Sequence, residues 1–425
     1  MTENDIIGLL KKEMVVAMGC TEPAAAALAG AKAAELLGCP PDRLTVSASR
    51  DMIKNAMGVG IPNCKEKGIL VAACLGVYSK AEHKDLSILS GVDQEQEKQA
   101  VQLAAASNLE MADDVTPVYV KAIAKKDGHT ASCTVSMQHD HFSEMTKDGQ
   151  VLYSEQVHET KTENDDDATR GLSLQRIVEF ADSVDPQKVQ FVYKCALINY
   201  DLAEYSVQHG YGLHIANTIL SDIPVEPDSL STALTKAAAY AAAGSDARMA
   251  GCTRAVVINS GSGNQGITCT VPVLILGRFL KTSPEQIAKA LCISELIGLM
   301  ITARKDRLSA LCGAFTAAIG TGCAMVYLMG GNTEQMNLTV RTMVGNLAGM
   351  VCDGAKTSCA LKIYSSVQAA GLAARMALNG IAPGRESGII GKDAMESIDN
   401  LMKVSHNGMV DTDKVILSIM LDKQL

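Results

Sequence analysis

Apolar side chains recur every three or four residues through Ile6, Ile7, Leu10, Met14, Val15 and Met18, the spacing of one helix face, and the pattern stops at Gly19. Thr21 then reads as the cap of a second, alanine-rich helix with Pro23 in its first turn, ending at Gly38. After Pro40-Pro41, residues 44–48 alternate like a strand, and 65–78 and 95–108 return to helical spacing. The period becomes two over 117–124 and 131–139, joined through Asp127-Gly128 as a hairpin, and a third strand leads to Asp148-Gly149. Beyond Leu172 the chain is built of long segments rich in alanine, leucine and methionine with little β-pattern. These features predict an α+β N-terminal domain over 1–160 followed by a larger, mostly α-helical domain over 170–425. The polar run HETKTENDDDATR at 158–170 reads as a solvated boundary rather than a cation site at Asp165 to Asp167.

Composition narrows the function. With 47% of its 425 residues apolar and 20% charged, many elements must be buried on most sides. Lys plus Arg is 38 against 47 Asp plus Glu, a net charge of −9, and there is no Trp, so neither phosphate neutralisation nor base stacking is well supplied. Nucleic acid is therefore not an expected partner. Residues 1–12 mix acidic, polar and basic side chains without an apolar secretory core, so a cytoplasmic chain with reduced thiols is expected. There, clustered cysteines point to metal or catalysis before disulfides. Residues 308–333 carry no charge, but their Ser, Thr, Asn and Gly content reads as a buried helix pair rather than a membrane span. The apolar composition is compatible with a homodimer.

Four segments are candidates for chemistry. In Gly19-Cys20-Thr21-Glu22-Pro23 a thiol, a hydroxyl and a carboxylate gather at a helix N-terminus, whose free N–H groups favour anions and depress a thiol pKa. A plain cap explains Thr21 and Pro23 but has no use for Cys20. In 47–62, polar groups including Lys54 and Asn55 leave a strand and run into glycines, either a substrate site or an ordinary strand-to-helix turn. The loop Ser260-Gly261-Ser262-Gly263-Asn264-Gln265-Gly266 presents backbone N–H groups to an anion or is a simple flexible connection; it is neither a Walker loop nor GxGxxG. The last segment holds Cys312, Cys352 and Cys359. On an unbroken helix Cys352 and Cys359 would stand about 10.5 Å apart along the axis, but Asp353-Gly354 is a turn signal that would fold their sulfurs together. With Cys312 they make a three-thiolate set suited to an iron–sulfur cluster with one iron left open. Cys39, Cys64, Cys74, Cys133, Cys195 and Cys269 read as small apolar residues. No histidine pair has helical spacing, so zinc is not supported, and His139 and His141 read as exposed on one strand face.

In this order the segments Gly19-Cys-Thr-Glu-Pro-Ala24, Ser49-Arg-Asp-Met-Ile-Lys-Asn55, Ser260-Gly-Ser-Gly-Asn-Gln-Gly266 and Val351-Cys-Asp-Gly-Ala-Lys-Thr-Ser-Cys359 resemble the L-cysteine desulfidase family, related to the iron–sulfur L-serine dehydratases. The resemblance runs over nearly the whole chain. It implies a [4Fe–4S] cluster on Cys312, Cys352 and Cys359, and conversion of L-cysteine to pyruvate, ammonia and sulfide. Two departures stand out: the Cys352/Cys359 pair is closer in sequence than in the serine dehydratases, and their Gly-His-Gly-Thr-Asp element has no copy after Ser49. The catalytic base is therefore not carried over. Within this reading Cys20 and Lys54 are the candidate catalytic residues, and Thr21, Glu22, Asn55, Ser262, Asn264 and Gln265 surround a small amino-acid substrate. The rivals are an L-serine deaminase, a pyridoxal-phosphate lyase with Lys54 as Schiff-base lysine, and a non-catalytic cysteine-rich redox or binding protein. The helical second half lacks the strand and helix alternation that a pyridoxal-phosphate fold would show.

Overall fold

The computed structural model describes residues 1–81, 85–155, 169, 171–305 and 309–422. The chain opens with α1 (Glu3–Glu13), held by a capping box between Thr2 and Asp5, then β1 (Val16–Met18) and α2 (Thr21–Leu37). There follow β2 (Arg43–Ser49), α3 (Arg50–Ala56), α4 (Ile69–Tyr78), α5 (Gln94–Ala105), and the strands β3 (Asn108–Ala112), β4 (Tyr119–Lys126), β5 (His129–Ser136), β6 (Phe142–Lys147) and β7 (Gln150–Ser154). They form one six-stranded sheet in the order β3-β2-β4-β5-β6-β7, antiparallel except for the parallel β2/β3 pair. Both predicted hairpin turns take left-handed backbone, Asp127 and Gly128 at φ 49° and 86°, and Asp148 and Gly149 at 48° and 81°.

One face of the sheet packs against α2, and α4 lies on α2. That contact is backbone to backbone. A Cβ added at Gly30 would sit 2.1 Å from the Ala73 carbonyl oxygen, and one at Gly76 would sit 1.9 Å from that of Ala27. The N-terminus of α2, which carries Cys20 to Glu22, is thereby held rigidly on the sheet.

The remaining described chain is helical: α6 (Leu174–Ser183), α7 (Pro186–His209), α8 (Ile215–Leu220), α9 (Leu230–Met249), α10 (Gly263–Phe279), α11 (Pro284–Lys305), α12 (Gly313–Leu328), α13 (Thr333–Leu347), α14 (Cys359–Leu378), α15 (Ala394–Lys403) and α16 (Val410–Asp422), with a short π-helical turn at Val404–Gly408. Strand β8 (Ala255–Val257) pairs antiparallel with β1, stitching the start of the chain to the helices. At the centre α12 packs against α10, α11 and α14 with Phe315, Ile319 and Cys323 fully buried.

Four sequence expectations are corrected, the first being that the opening helix ends at Glu13 rather than near Gly19, with Val16–Met18 a strand. The 95–108 helix ends at Ala105, and Asn108–Ala112 is an edge strand; because Leu109 and Met111 face outward, no buried face marks it. The 65–78 helix begins only at Ile69. Among the described residues of the uncharged stretch at 308–333 lies one complete helix, Gly313–Leu328, and the next begins only at its last residue, Thr333. Among the described residues one helix, Pro284–Lys305, is long and apolar enough to cross a membrane, and 83% of its apolar window is buried inside the protein. The acidic stretch 158–170 lies outside the described residues, Thr169 excepted.

Candidate active site

The N-termini of α2, α10, α12 and α14 open onto one cavity of about 800 Å³, its mouth included. Each helix start carries partial positive charge, so the space favours anions. Every site residue singled out from the sequence lines it: Cys20, Thr21 and Glu22; Lys54 and Asn55; Ser262, Asn264 and Gln265; Cys312, Cys352 and Cys359.

The thiols form one wall. Leu311 and Val351 face each other in an antiparallel bridge, with the Cys312 amide donating to the Met350 carbonyl at 3.1 Å and the Cys352 amide to that of Ala310 at 2.6 Å. Cys312 and Cys352 are thus diagonal neighbours on one side of the bridge, a relation that separates Cα atoms by about 7–8 Å. The predicted turn follows: Gly354 has φ +92°, and a Cβ there would meet the Lys54 carbonyl oxygen at 2.5 Å. The chain re-enters helix at Cys359, whose thiol donates to the Gly354 carbonyl at 3.5 Å.

Lysines surround this wall. Burial and the neighbouring Cys352 push the Cys312 thiol up to about 11, with Lys362 opposing. Burial also raises Cys359, against Lys356 and Lys362. Lys362 donates to the Val351 carbonyl at 2.8 Å and pairs with Asp353. Burial would raise the Asp353 carboxyl, but its bonds to Lys356 and Lys362 hold it at about 2. Lys54, 1% exposed, pairs with Asp51 at 3.2 Å and with Asp413 of α16. Burial disfavours its charge, yet Cys352, Asp51 and Asp413 outweigh that and raise its pKa, so it is an ammonium.

Among the described residues no three Cys, His, Asp or Glu side chains are grouped tightly enough for a single metal ion. A polynuclear cluster asks for something different, since each thiolate takes a different iron. Three thiols on one wall, ringed by cations that offset thiolate charge, suit such a group.

Glu22 organises a second group of the lining, whose Cys20 packs in one apolar cluster with Cys359. Its Oε2 accepts from the Cys20 thiol at 2.8 Å and from the Thr21 hydroxyl at 3.3 Å, and its Oε1 accepts from Asn55 Nδ2 at 2.9 Å. Burial would raise this carboxyl, but His139, the Cys20 bond and Arg248 together hold it below its ordinary value. Two expectations change here. Cys20, not Thr21, is the N-cap of α2, and Thr21 instead donates to the Gly261 carbonyl at 2.9 Å. The Cys20 pKa is not depressed by the helix end; burial and the Glu22 charge drive it far up, leaving a thiol that donates.

The 260–266 segment is a tight turn feeding a helix. Ser260 and Gly261 take φ 50° and 78° between the mutually bonded Asn259 and Ser262, and Ser262 caps α10 by accepting from the Gln265 amide. Gln265 accepts from Thr302 at 2.8 Å, behind the cavity wall. Among the described residues, Asn55 Oδ1, Asn264 Oδ1 and Ser309 Oγ of the lining are buried without a hydrogen-bond partner.

The fold also brings in His139, Arg248, Lys305 and Lys362. His139 is buried in the turn after β5, not exposed on a strand as its sequence position suggested. Arg248 did carry a signal: with Asp246 it is the charged exception in an otherwise uncharged run at 237–249.

Residues 82–418 match the serine dehydratase alpha chain family. A UPF0597 protein of Oleidesulfovibrio alaskensis is 39% identical over 422 residues, spanning 98% of each chain. UPF0597 proteins of Aeromonas hydrophila and Phocaeicola vulgatus are each 37% identical, over 99% of this chain and 96% and 97% of theirs. The family match covers the thiol wall and the 260–266 turn, and these relatives extend the similarity to nearly the whole chain.

Proposed function

The chain belongs to the serine dehydratase alpha chain family, and from that footing we propose an iron–sulfur-dependent carbon–sulfur lyase that converts L-cysteine to pyruvate, ammonia and sulfide. The observation that carries the reading is the meeting of Cys312, Cys352 and Cys359 with the Glu22–Asn55–Cys20 group around one cavity. A [4Fe–4S] cluster held by these three cysteines would supply an open iron as Lewis acid for the departing sulfur.

The chain's own residues do the rest. Asn55 Oδ1 and Asn264 Oδ1, both unpartnered, accept from the substrate ammonium, while the helix starts at Thr21 and Ser262 favour its carboxylate. Elimination takes a proton from Cα and a thiolate from Cβ, which leave together as hydrogen sulfide. The aminoacrylate gains a proton on its methylene carbon and returns one from its nitrogen to the donor, and water hydrolyses the resulting imine to pyruvate and ammonia. Cys20, a thiol in the resting site, serves as the donor of that proton, and Glu22 orients it. Lys54 balances charge beside Cys352; a Schiff-base role would need its neutral amine, which Asp51 and Asp413 oppose. In this reading residues 1–160 contribute substrate-binding residues and 170–425 hold the thiol wall. The reading places a small amino acid in the site of a cytoplasmic protein, without nucleic acid or membrane, and is compatible with a homodimer.

A second reading, L-serine deamination, is favoured by the family match itself. L-cysteine is preferred here on the resemblance of 19–24 and 49–55. Anaerobic assays of the iron-reconstituted protein separate the two. Sulfide and pyruvate from L-cysteine at a kcat/KM well above that for L-serine supports the proposal; pyruvate from L-serine alone supports the second reading, and turnover of neither contradicts both.

A further inference from the structure

Arg248 ends the alanine-rich α9 and is 4% exposed. Its Nε donates to the Gly19 carbonyl at 3.0 Å, which fixes the plane of the guanidinium. Among the described residues no carboxylate pairs with it, and neither Nη group has a hydrogen-bond acceptor. Lys54 and Lys362, cations of the same cavity, are both paired. A buried cation without a counter-ion is costly unless a ligand completes it. The chain also makes room for this one: a Cβ added at Gly263, the first residue of α10, would stand 2.4 Å from Arg248 Nε, so a larger residue there would push the guanidinium aside.

The opposite charge stands nearby. The Glu22 carboxylate feels Arg248 electrostatically without forming an ion pair, because its oxygens are engaged by Cys20, Thr21 and Asn55. Asn55, 6% exposed, turns its amide nitrogen to Glu22 and leaves its Oδ1 buried and unpartnered. The cavity therefore has a cationic pole with free donors and an anionic pole with a free acceptor.

We propose that Arg248 receives the α-carboxylate of the substrate and Asn55 Oδ1 its α-ammonium, so that the site selects α-amino acids as zwitterions. The inference rests on the amino-acid reading above and names the groups that would enforce it. A guanidinium presents paired N–H donors that match a carboxylate in bidentate fashion, which an ammonium or a helix end cannot reproduce.

Calorimetric titration of the iron-reconstituted protein with L-alanine, a zwitterion with no leaving group, and with L-alaninamide, which lacks the carboxylate, tests the assignment. Arg248→Gln should weaken L-alanine about 100-fold, the scale of a lost charge-assisted pair, and leave L-alaninamide unchanged. Gly263→Ala, which displaces the guanidinium while keeping its charge, should weaken L-alanine in the same selective way. Equal L-alanine affinity in Arg248→Gln and the unmodified protein, or equal loss of both ligands, overturns the carboxylate assignment while the amino-acid reading stands. If the unmodified protein binds neither L-alanine nor L-cysteine, the amino-acid reading itself fails.

Discussion

The cavity wall and the helical core behind it contain nearly the same side chains in opposite surroundings. The wall holds Cys312, Cys352 and Cys359, with Asp353 joined to the lysines Lys356 and Lys362; the core of α10, α11 and α12 holds Cys269, Cys292 and Cys323 with the carboxyl of Glu295. On the wall, Lys356 and Lys362 keep Asp353 ionised, at about 2. In the core, burial pushes Glu295 up to about 8, opposed only by the amide of Asn259. The thiols divide in the same way. Burial alone drives Cys323 far up, whereas at Cys312 and Cys359 lysines work against it. Burial by itself makes a cysteine an inert apolar filler; burial beside cations makes it a thiolate in waiting. Cys20 is a third kind, a thiol kept protonated by burial together with a facing carboxylate.

The hardest test of this contrast is to remove one sulfur from each side. Cys312→Ser should lower L-cysteine turnover at least 100-fold, beyond the 10–100-fold typical of outer-shell changes. Cys323→Ala should leave turnover within about threefold and cost about 1 kcal/mol in thermal unfolding, the price of a small void. Similar losses of turnover from both variants would erase the distinction between wall and core.

A smaller effect is expected from the cations. Metal uptake requires deprotonated thiols, and Lys362 stabilises their charge at Cys312 and Cys359. Lys362→Gln should therefore weaken iron retention about tenfold and move the pH midpoint of iron reconstitution upward. An unchanged midpoint would mean that the lysine ring is only packing.

The smallest concerns Glu295. A carboxyl whose folded pKa lies near 8, against an ordinary 4.5, contributes stability that is full below 4.5 and lost as pH rises through 8. Glu295→Gln cannot lose that proton. The melting temperature of the variant relative to the unmodified protein should rise between pH 5 and 8 and level off above, by a few degrees at most. A difference independent of pH would show that Glu295 is ionised throughout.

The sequence carried the local parts of this arrangement. Asp127-Gly128, Asp148-Gly149 and Asp353-Gly354 each announce a turn through a residue at positive φ, and the last breaks the chain between Cys352 and Cys359 where the sequence placed a turn. Long-range assembly was not legible. The Leu311–Val351 bridge is a single residue pair, and β1/β8 joins strands of three residues whose alternation is too short to read. His139 and Arg248 are single polar residues whose role depends on which helix end they meet, and Arg248 showed only as a charge in an alanine run. Cys20 misled for a physical reason: a helix N-terminus lowers a thiol pKa only where burial and a facing carboxylate do not outweigh it.

The central claim is that the lysine-ringed wall, and not the cysteine-bearing core, holds an iron–sulfur cluster. Iron and acid-labile sulfide should be counted, with the visible absorbance, in protein purified anaerobically and again after exposure to air. The expected result is about four irons per chain with a broad absorbance that bleaches in air, lost from Cys352→Ser and kept in Cys269→Ser. Protein that stays free of iron after anaerobic reconstitution, or Cys352→Ser that retains its full iron and sulfide, would contradict it.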